Sequence, residues 1–505
     1  MLNLALSLSV EPPSNVQAIA DHIHLRGIFS VFYGNPFDCR NFFIRQIIIF
    51  VKDVFRLMDC YTVSMHKRFF SAFAQHRILG GAMVLAFTQF AASLAGLIRD
   101  RVLAQTFPGL DTVDVYIAAF RPSDLLFQVT IMAGFSVALV PLLAQYKAKN
   151  DYSQMSGLLS GVIAVAALAF GSLAILLAVA LPWVAPLLTR FEGESLHFYI
   201  QFARIALLTN FLFVFGNAFG QCLITVQRYW VYGITPVIYT LGTILGTIFL
   251  TPIVGPFGPI YGTLCGAVFY VLLRFIGVFH AGYRPRRIFW HADLPEMGRL
   301  MVPRMIALGA LQLELLLFDT VASGLTAGSV TINAYARNFQ AVAVGIAGIA
   351  LAQSAFSLLS QAAANRQAAR FWIYLKRGVG ILLLLTIPGA IALVIVTPIA
   401  AGLVHLTHVL PVFGTCLALY AISIPFESVN HLLLRAFYSL KNTVTPAVLG
   451  VLNGGTAIAV AWFLSGRYGV YSLALGFTIG QIVELIGLVL LLPRRARRVL
   501  SAPIS

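Results

Sequence analysis

The sequence predicts an all-α polytopic membrane protein of about twelve transmembrane helices, built as two six-helix lobes related by a parallel pseudo-two-fold repeat. Three observations carry this expectation. Of 505 residues, 59% are hydrophobic and only 10% charged, whereas a soluble chain carries about 25% charged residues, so most of this surface must face lipid. Apolar runs near or above the roughly 20 residues a helix needs to cross hydrocarbon recur from Ile78 onward. The second half of the chain also echoes the first at a nearly constant offset.

Residues 1–64 stand apart as an N-terminal extension, either not native or interfacial. Their apolar piece NFFIRQIIIFVKDVFRLMDCY is interrupted by Arg45, Lys52, Asp53 and Arg56, a pattern suited to a helix lying on the membrane rather than crossing it. MHKRFF then opens at Met65, a basic start just ahead of the first long apolar run, and places the natural start near Met65. Twelve spans follow at approximately 78–107, 113–144, 157–188, 196–226, 231–253, 258–280, 297–324, 329–363, 372–404, 410–440, 444–465 and 469–493. Gly, Pro or clustered charge separates them, as at Pro108-Gly109, Gly255-Pro256 and Arg284 to Arg287. This divides the chain into an N-lobe at 65–285, a C-lobe at 286–495 and a tail at 496–505.

The net charge of +16 sits mainly in short loops, as topology signals do, and no nucleic-acid partner is expected. One set of loop ends holds Lys67, Arg68, Lys147, Lys149, Arg228, Arg286, Arg287, Arg366, Arg370, Lys441 and Arg494 to Arg498; the other holds little beyond Arg190 and Arg467. Both termini are therefore expected in the cytoplasm. Five cysteines with no CxxC spacing argue against a disulfide framework or a metal site.

The repeat is legible residue by residue. An offset of 219 pairs Asp100 with Asp319, Gly109 with Gly328, Asp114 with Asn333 and Phe120 with Phe339. Further along, Thr235-Pro236 pairs with Thr445-Pro446 at 210, and Gly255 and Gly258 with Gly466 and Gly469 at 211. Six spans per half return the chain to its starting side, giving parallel lobes with a site between them.

No enzyme is expected: the chain has no GxxxxGK[ST], HExxH or GxSxG, and no cofactor is implied. His405 and His408 are three apart without a nearby acid and read as interfacial, so no metal is expected. Ionisable residues within spans are costly and mark functional sites. In the first lobe these are Arg99, Asp100, Arg101, Asp114, Arg121 and Asp124. Arg99 and Arg101 point about 200° apart on a helix, which favours Arg99 for the cavity. Arg121 and Asp124 are spaced for a local ion pair, with ligand contact the equal alternative for Arg121. Asp114 pairs with Arg99 or Arg101, or takes part in coupling. In the second lobe Arg337 offers a cation to the interlobe space, and Asp319, Glu427 and Arg435 are candidates for coupling or structural ion pairs. Paired guanidiniums suit a diphosphate, while the carboxylates keep a cation exporter in play. Gly134, Pro141, Pro236 and Pro446 are hinge candidates, or static kinks that aid packing.

These residues resemble a known family. Arg99-Asp100, Phe107-x-Gly109, Asp114, AAFRPSDLL, GFSVALVPLLAQY, DTVASGLTAGSVTINAYARNFQ and LLLRAFYSLKNTVTP are similar to signatures of the MurJ/MviN lipid II flippases of the multidrug/oligosaccharidyl-lipid/polysaccharide exporter superfamily. The resemblance implies export of a polyprenyl-diphosphate-linked peptidoglycan precursor by alternating access. It implies that Arg99 and Arg337 hold the diphosphate, that Asp114 occupies a family acidic position, and that partners are lipid and cell-wall synthesis proteins. The chain departs from the family at Ser93, Phe127, Gln128, Met132 and Ala336, and has about twelve spans where the family usually has fourteen. The rival expectations are a flippase for another lipid-linked oligosaccharide, an ion-coupled drug exporter, and a non-transporting scaffold for cell-wall synthesis.

Overall fold

A computed structural model describes residues 77–132, 135, 139–288 and 290–500. The proposed start at Met65, the extension 1–64, hinge residue Gly134 and the last five residues of the tail lie outside these described residues. Among them every regular element is helical. They run as α1 (Arg77–Thr106), α2 (Asp111–Phe127, prolonged by a π-turn at Gln128–Met132), α3 (Val140–Ala148), α4 (Tyr152–Leu188) and α5 (Gly193–Thr225). The first half closes with α6 (Tyr229–Leu245, prolonged by a π-turn at Gly246–Leu250), α7 (Thr251–Val254) and α8 (Gly258–His280). The second comprises α9 (Leu294–Ala322), α10 (Ser329–Ala343, with a π-turn at Val344–Ile349), α11 (Ala350–Ala364), α12 (Ala368–Ile395), α13 (Thr397–Leu403), α14 (Leu410–Ser439), α15 (Val444–Tyr468) and α16 (Tyr471–Leu500).

Among the described residues eight stretches are long and apolar enough to cross a membrane. Several helices outrun the apolar limits read from the sequence: α4 starts at Tyr152 rather than near 157, and α16 continues through Arg494 and Arg498 to Leu500. Polar helix ends carry on beyond the hydrocarbon because their backbone hydrogen bonds are satisfied within the helix wherever it goes. The outward faces are apolar. Leu168 of α4, Leu384 of α12 and Phe463 of α15 are 75%, 73% and 82% exposed, an arrangement that water would penalise and lipid does not.

Both halves use the same internal plan. In the first, α5 is central and packs on α2, α4 and α8, while α6 lies along α8; in the second, α14 packs on α10, α11, α12 and α16, while α15 lies along α16. Small residues make the last contact of each half close. A Cβ on Gly242 would stand 2.5 Å from the Gly266 Cα, and Gly246 and Gly262 meet in the same way. In the other half Gly476 lies against the Ala457 carbonyl and Gly480 against Asn453. Gly476 and Gly480 follow Gly262 and Gly266 at an offset of 214. Gly255 (φ 61°, ψ −137°) and Gly469 (φ 55°, ψ −135°) share one left-handed conformation at that same offset. The register here is thus 214 rather than 211. Gly466 lies inside α15, so a pairing based on residue identity alone missed the glycine whose missing Cβ the turn requires. At the second helix of each half the left-handed caps are Leu110 and Gly328, an offset of 218 rather than 219.

Because the atoms facing Gly262 belong to the backbone of α6, they cannot rotate away. Gly262→Val should lower stability by about 1–3 kcal/mol, read as a fall in the unfolding midpoint of the purified protein; an unchanged midpoint would contradict this packing.

Candidate functional site

A cavity of about 370 Å³ opens where α1, α2, α5, α6 and α10 converge, between the two halves. Its polar lining comprises Arg99, Asp100, Tyr116, Arg121, Asp124, Asn210, Tyr239, Tyr335 and Asn338. Arg99 and Asp100 reach it from the last turns of α1. The Arg99 Nε and Nη2 donate to Asp100 Oδ1 at 2.9 and 2.6 Å. Asp100 is fixed from the other half: Tyr335 Oη donates to its backbone carbonyl at 3.0 Å, and Asn338 Nδ2 to its Oδ2 at 3.4 Å. Arg101, on a different face of α1, donates instead to the Gly402 carbonyl at 3.1 Å.

Arg121 does not form the local pair with Asp124 that the spacing suggested. Its Nε donates to Asp319 Oδ2 of α9 at 2.6 Å, tying the two halves together, while Asp124 accepts from Asn210 Nδ2 of α5 at 2.9 Å. An acid on a facing helix won over one a turn away: Asp319 meets the Nε edge of the guanidinium, while Asp124 is held by Asn210. A guanidinium has five N–H donors. Arg99 spends two of them on Asp100 and Arg121 spends one on Asp319, so both retain donors for a ligand.

Asp114 pairs with neither Arg99 nor Arg101. It stands in the first turn of α2, and its Oδ2 accepts from Gly328 N at 2.7 Å while its Oδ1 accepts from Thr331 N at 2.7 Å and from Thr331 Oγ1. These are the otherwise unpaired donors at the start of α10, so one buried carboxylate serves the positive ends of two helices in opposite halves. The same end of the molecule carries further links between halves. Thr320 Oγ1 donates to the Leu188 carbonyl at 2.6 Å, Arg190 N to Ser323 Oγ at 2.9 Å, and the Arg190 guanidinium lies 4.5 Å above the Trp462 ring.

Arg337 is absent from the cavity lining. Its Nη1 lies 3.4 Å from Glu314 Oε1, and its guanidinium stacks 4.5 Å above Phe477 within its own half. Glu427 and Arg435 do not pair with each other: Glu427 accepts from Gln340 Nε2 at 2.5 Å, and Arg435 donates to the His431 carbonyl of its own helix at 3.0 Å. Among the described residues no His, Cys, Asp and Glu cluster could hold a metal ion. His405 closes α13 in a left-handed conformation, and His408 sits in a 3₁₀ turn.

Of the hinge candidates, Pro141 and Pro446 stand in the first turns of α3 and α15, where a proline costs little. Pro236 lies inside α6. The Tyr232 carbonyl, which a residue with an N–H at 236 would have bound, accepts instead from Thr235 Oγ1 at 2.9 Å and Arg274 Nη2 at 3.2 Å. Pro236 is therefore braced here. Arg274, 2% exposed, completes its set with Thr235 Oγ1 and the Gly216 carbonyl and lies between the Tyr232 and Tyr270 rings. The sequence reading passed over Arg274, although an arginine inside the apolar run VLLRFIG was a visible signal. It also passed over Asn210, Tyr335 and Asn338, whose signal is weaker because polar uncharged residues are common in helix contacts. The π-turns at 128–132 and 344–349 had no signal that periodicity could reveal.

The family described as lipid II flippase MurJ matches residues 103–504. A lipid II flippase MurJ of Burkholderia cenocepacia is 23% identical over 374 residues, which span 71% of this chain and 72% of the relative. A solved lipid II flippase MurJ in an inward closed conformation superposes with a TM-score of 0.68 at 21% identity, over 81% of this chain and 87% of that one. An inward-facing multidrug resistance MATE family transporter of the MOP superfamily superposes with a TM-score of 0.67 at 16% identity, over 82% and 96%. With its helices, its lipid-facing surface and its two-lobe plan, this multi-pass membrane protein belongs to the lipid II flippase MurJ family.

Proposed function

We propose that this protein exports lipid II, a polyprenyl-diphosphate-linked peptidoglycan precursor, across the bacterial inner membrane by alternating access. The observation that carries the reading is the interlobe cavity with two guanidiniums whose donors are only partly spent. Arg99 and Arg121 receive the diphosphate, for which parallel N–H donors to phosphate oxygens are the natural complement. Arg337, one step outside the lining, joins them when its weak 3.4 Å contact with Glu314 gives way. Both termini are cytoplasmic, so the end tied by Asp114, Thr320 and Arg190 is periplasmic and the cavity is served from the cytoplasm. A phosphate at Arg121 competes with Asp319 and thereby loosens one link between α2 and α9. The polyprenyl tail stays in lipid, and cell-wall synthesis proteins receive the product.

Asp100, Asp124 and Asp319 around the cavity favour a second reading, an ion-coupled exporter of cationic molecules. Rescue of cells depleted of their own lipid II flippase separates the two. Growth restored by this chain supports lipid II export. Lysis despite protein in the membrane would move the assignment to the exporter, to another lipid-linked oligosaccharide, or to a non-transporting scaffold.

A further inference from the structure

The described residues of the segment joining the two lobes, 281–288 and 290–293, lie against the first turns of α4. Ser156 Oγ accepts from Arg284 N at 3.3 Å and Ser160 Oγ from Arg286 N at 3.1 Å, and Ser160 Oγ also meets Tyr283 Oη at 3.0 Å. Gly157 and Gly161 alternate with these serines and let the segment lie close: a Cβ on Gly157 would stand 3.3 Å from Ile288 Cδ1, and one on Gly161 3.4 Å from His291 Cβ. The repeat Ser-Gly-x-x-Ser-Gly thus turns a loop into a fixed wall.

Between that wall and α4 a second cavity of about 170 Å³ opens, lined by Ile163 and Ala164 on one side and Pro285, Arg286 and Arg287 on the other. The three arginines of the segment are not alike. Arg284 lies outside the lining, its Nη1 donating to the Phe279 and Tyr283 carbonyls and its guanidinium stacking on the Phe279 ring at 4.3 Å. The side chains of Arg286 and Arg287 are exposed and make no hydrogen bond or ion pair among the described residues. The nearby carboxylate of Asp293 is already taken by Tyr146 Oη at 2.8 Å. On the α4 side the apolar floor runs on through Val165 to Leu168, which is 75% exposed, and Trp290 beside the cavity is 66% exposed. Ser160 lies about 12 Å along α4 from its first residue, a depth suited to headgroups.

We propose that this cavity is a binding site for the headgroup of an anionic phospholipid, with Arg286 and Arg287 holding the phosphate and the acyl chains lying along α4. The preformed wall, two uncommitted guanidiniums and a floor continuous with the lipid-facing surface select a lipid rather than a soluble anion. A basic pocket between helices at the membrane surface is a recognised lipid-headgroup geometry. The site is separate from the Arg99 cavity and stands whatever the transported substrate.

The test is native mass spectrometry of the full chain titrated with phosphatidylglycerol, phosphatidylcholine and inorganic phosphate, with no lipid II present. One phosphatidylglycerol should bind in preference to phosphatidylcholine, and inorganic phosphate should not displace it. Arg286→Gln with Arg287→Gln should weaken that binding by about 25-fold, at about five-fold for each cation. Ala164→Trp, which fills the cavity and keeps both charges, should weaken it too, while the charge-matched Arg494→Gln with Arg498→Gln should not. Equal retention of the two lipids, unchanged binding after the arginine substitutions, equal loss in the charge-matched control, or displacement by phosphate alone would each overturn the proposal.

Discussion

Arg99→Ala is expected to reduce lipid II translocation by about 100-fold or more, because it removes two or more charge-assisted hydrogen bonds worth about 1.5–3 kcal/mol each. The side chain of Arg99 is 30% exposed to the cavity and that of Asp100 only 4%, so the guanidinium is the member of the pair that a ligand meets. Removing it also strands Asp100, which keeps Asn338 as its remaining side-chain partner. The loss of activity must therefore be separated from loss of fold. Arg99→Lys retains the charge without the planar fork and should be intermediate. Arg99→Ala with Asp100→Asn removes the stranded charge and should recover the unfolding midpoint but not transport. Translocation by that double variant at the parent rate would remove Arg99 from the substrate site.

The second large effect is expected at Asp114, beyond the cavity toward the same end of the interface. Asp114→Ala deletes three hydrogen bonds to the start of α10, two of them at 2.7 Å to backbone N–H groups that have no other acceptor in their own helix. Loss of even two charge-assisted bonds, at about 1.5–3 kcal/mol each, shifts the balance between closed and open lobes by about 100-fold. Spin labels on exposed Glu194 and Arg467, one per lobe at that end, should report a longer distance in Asp114→Ala than in the parent. Transport should fall in the same variant, because a gate that no longer closes cannot alternate. An unchanged distance distribution would mean that the remaining links through Thr320 and Arg190 hold the lobes closed without Asp114.

Much of the fold was legible because lipid enforces one simple rule, a long apolar helix for each crossing. That rule gave about twelve spans from Ile78 onward, and eight stretches among the described residues are long and apolar enough to cross a membrane, Tyr229–His280 joining two of the expected spans in one. Register was less legible. Gly255 and Gly469 look like any other glycines in sequence, and only their shared left-handed backbone identifies them as equivalents. The site was legible in composition and not in pairing. Arg99, Asp100, Arg121 and Asp319 were all singled out, yet the Arg121 bridge runs to another helix 198 positions away rather than three. Helical spacing names neighbours on one helix and is silent about which helix lies opposite. Asp114 shows the same limit from the other side: its partners are mainly backbone N–H groups, which no residue type announces. Arg337 was expected to face the interlobe space, and contacts with Glu314 and Phe477 keep it outside the lining.

The central claim, that the cavity at Arg99 and Arg121 takes a lipid-linked diphosphate, is tested most directly by binding. The affinity of the purified protein should be measured for a short-chain polyprenyl diphosphate and for the matching monophosphate, alongside Arg99→Ala and Arg121→Ala. The account predicts that the parent prefers the diphosphate and that each substitution removes most of that preference. Equal affinity for the two lipids in the parent, or a preference that survives both substitutions, would contradict it.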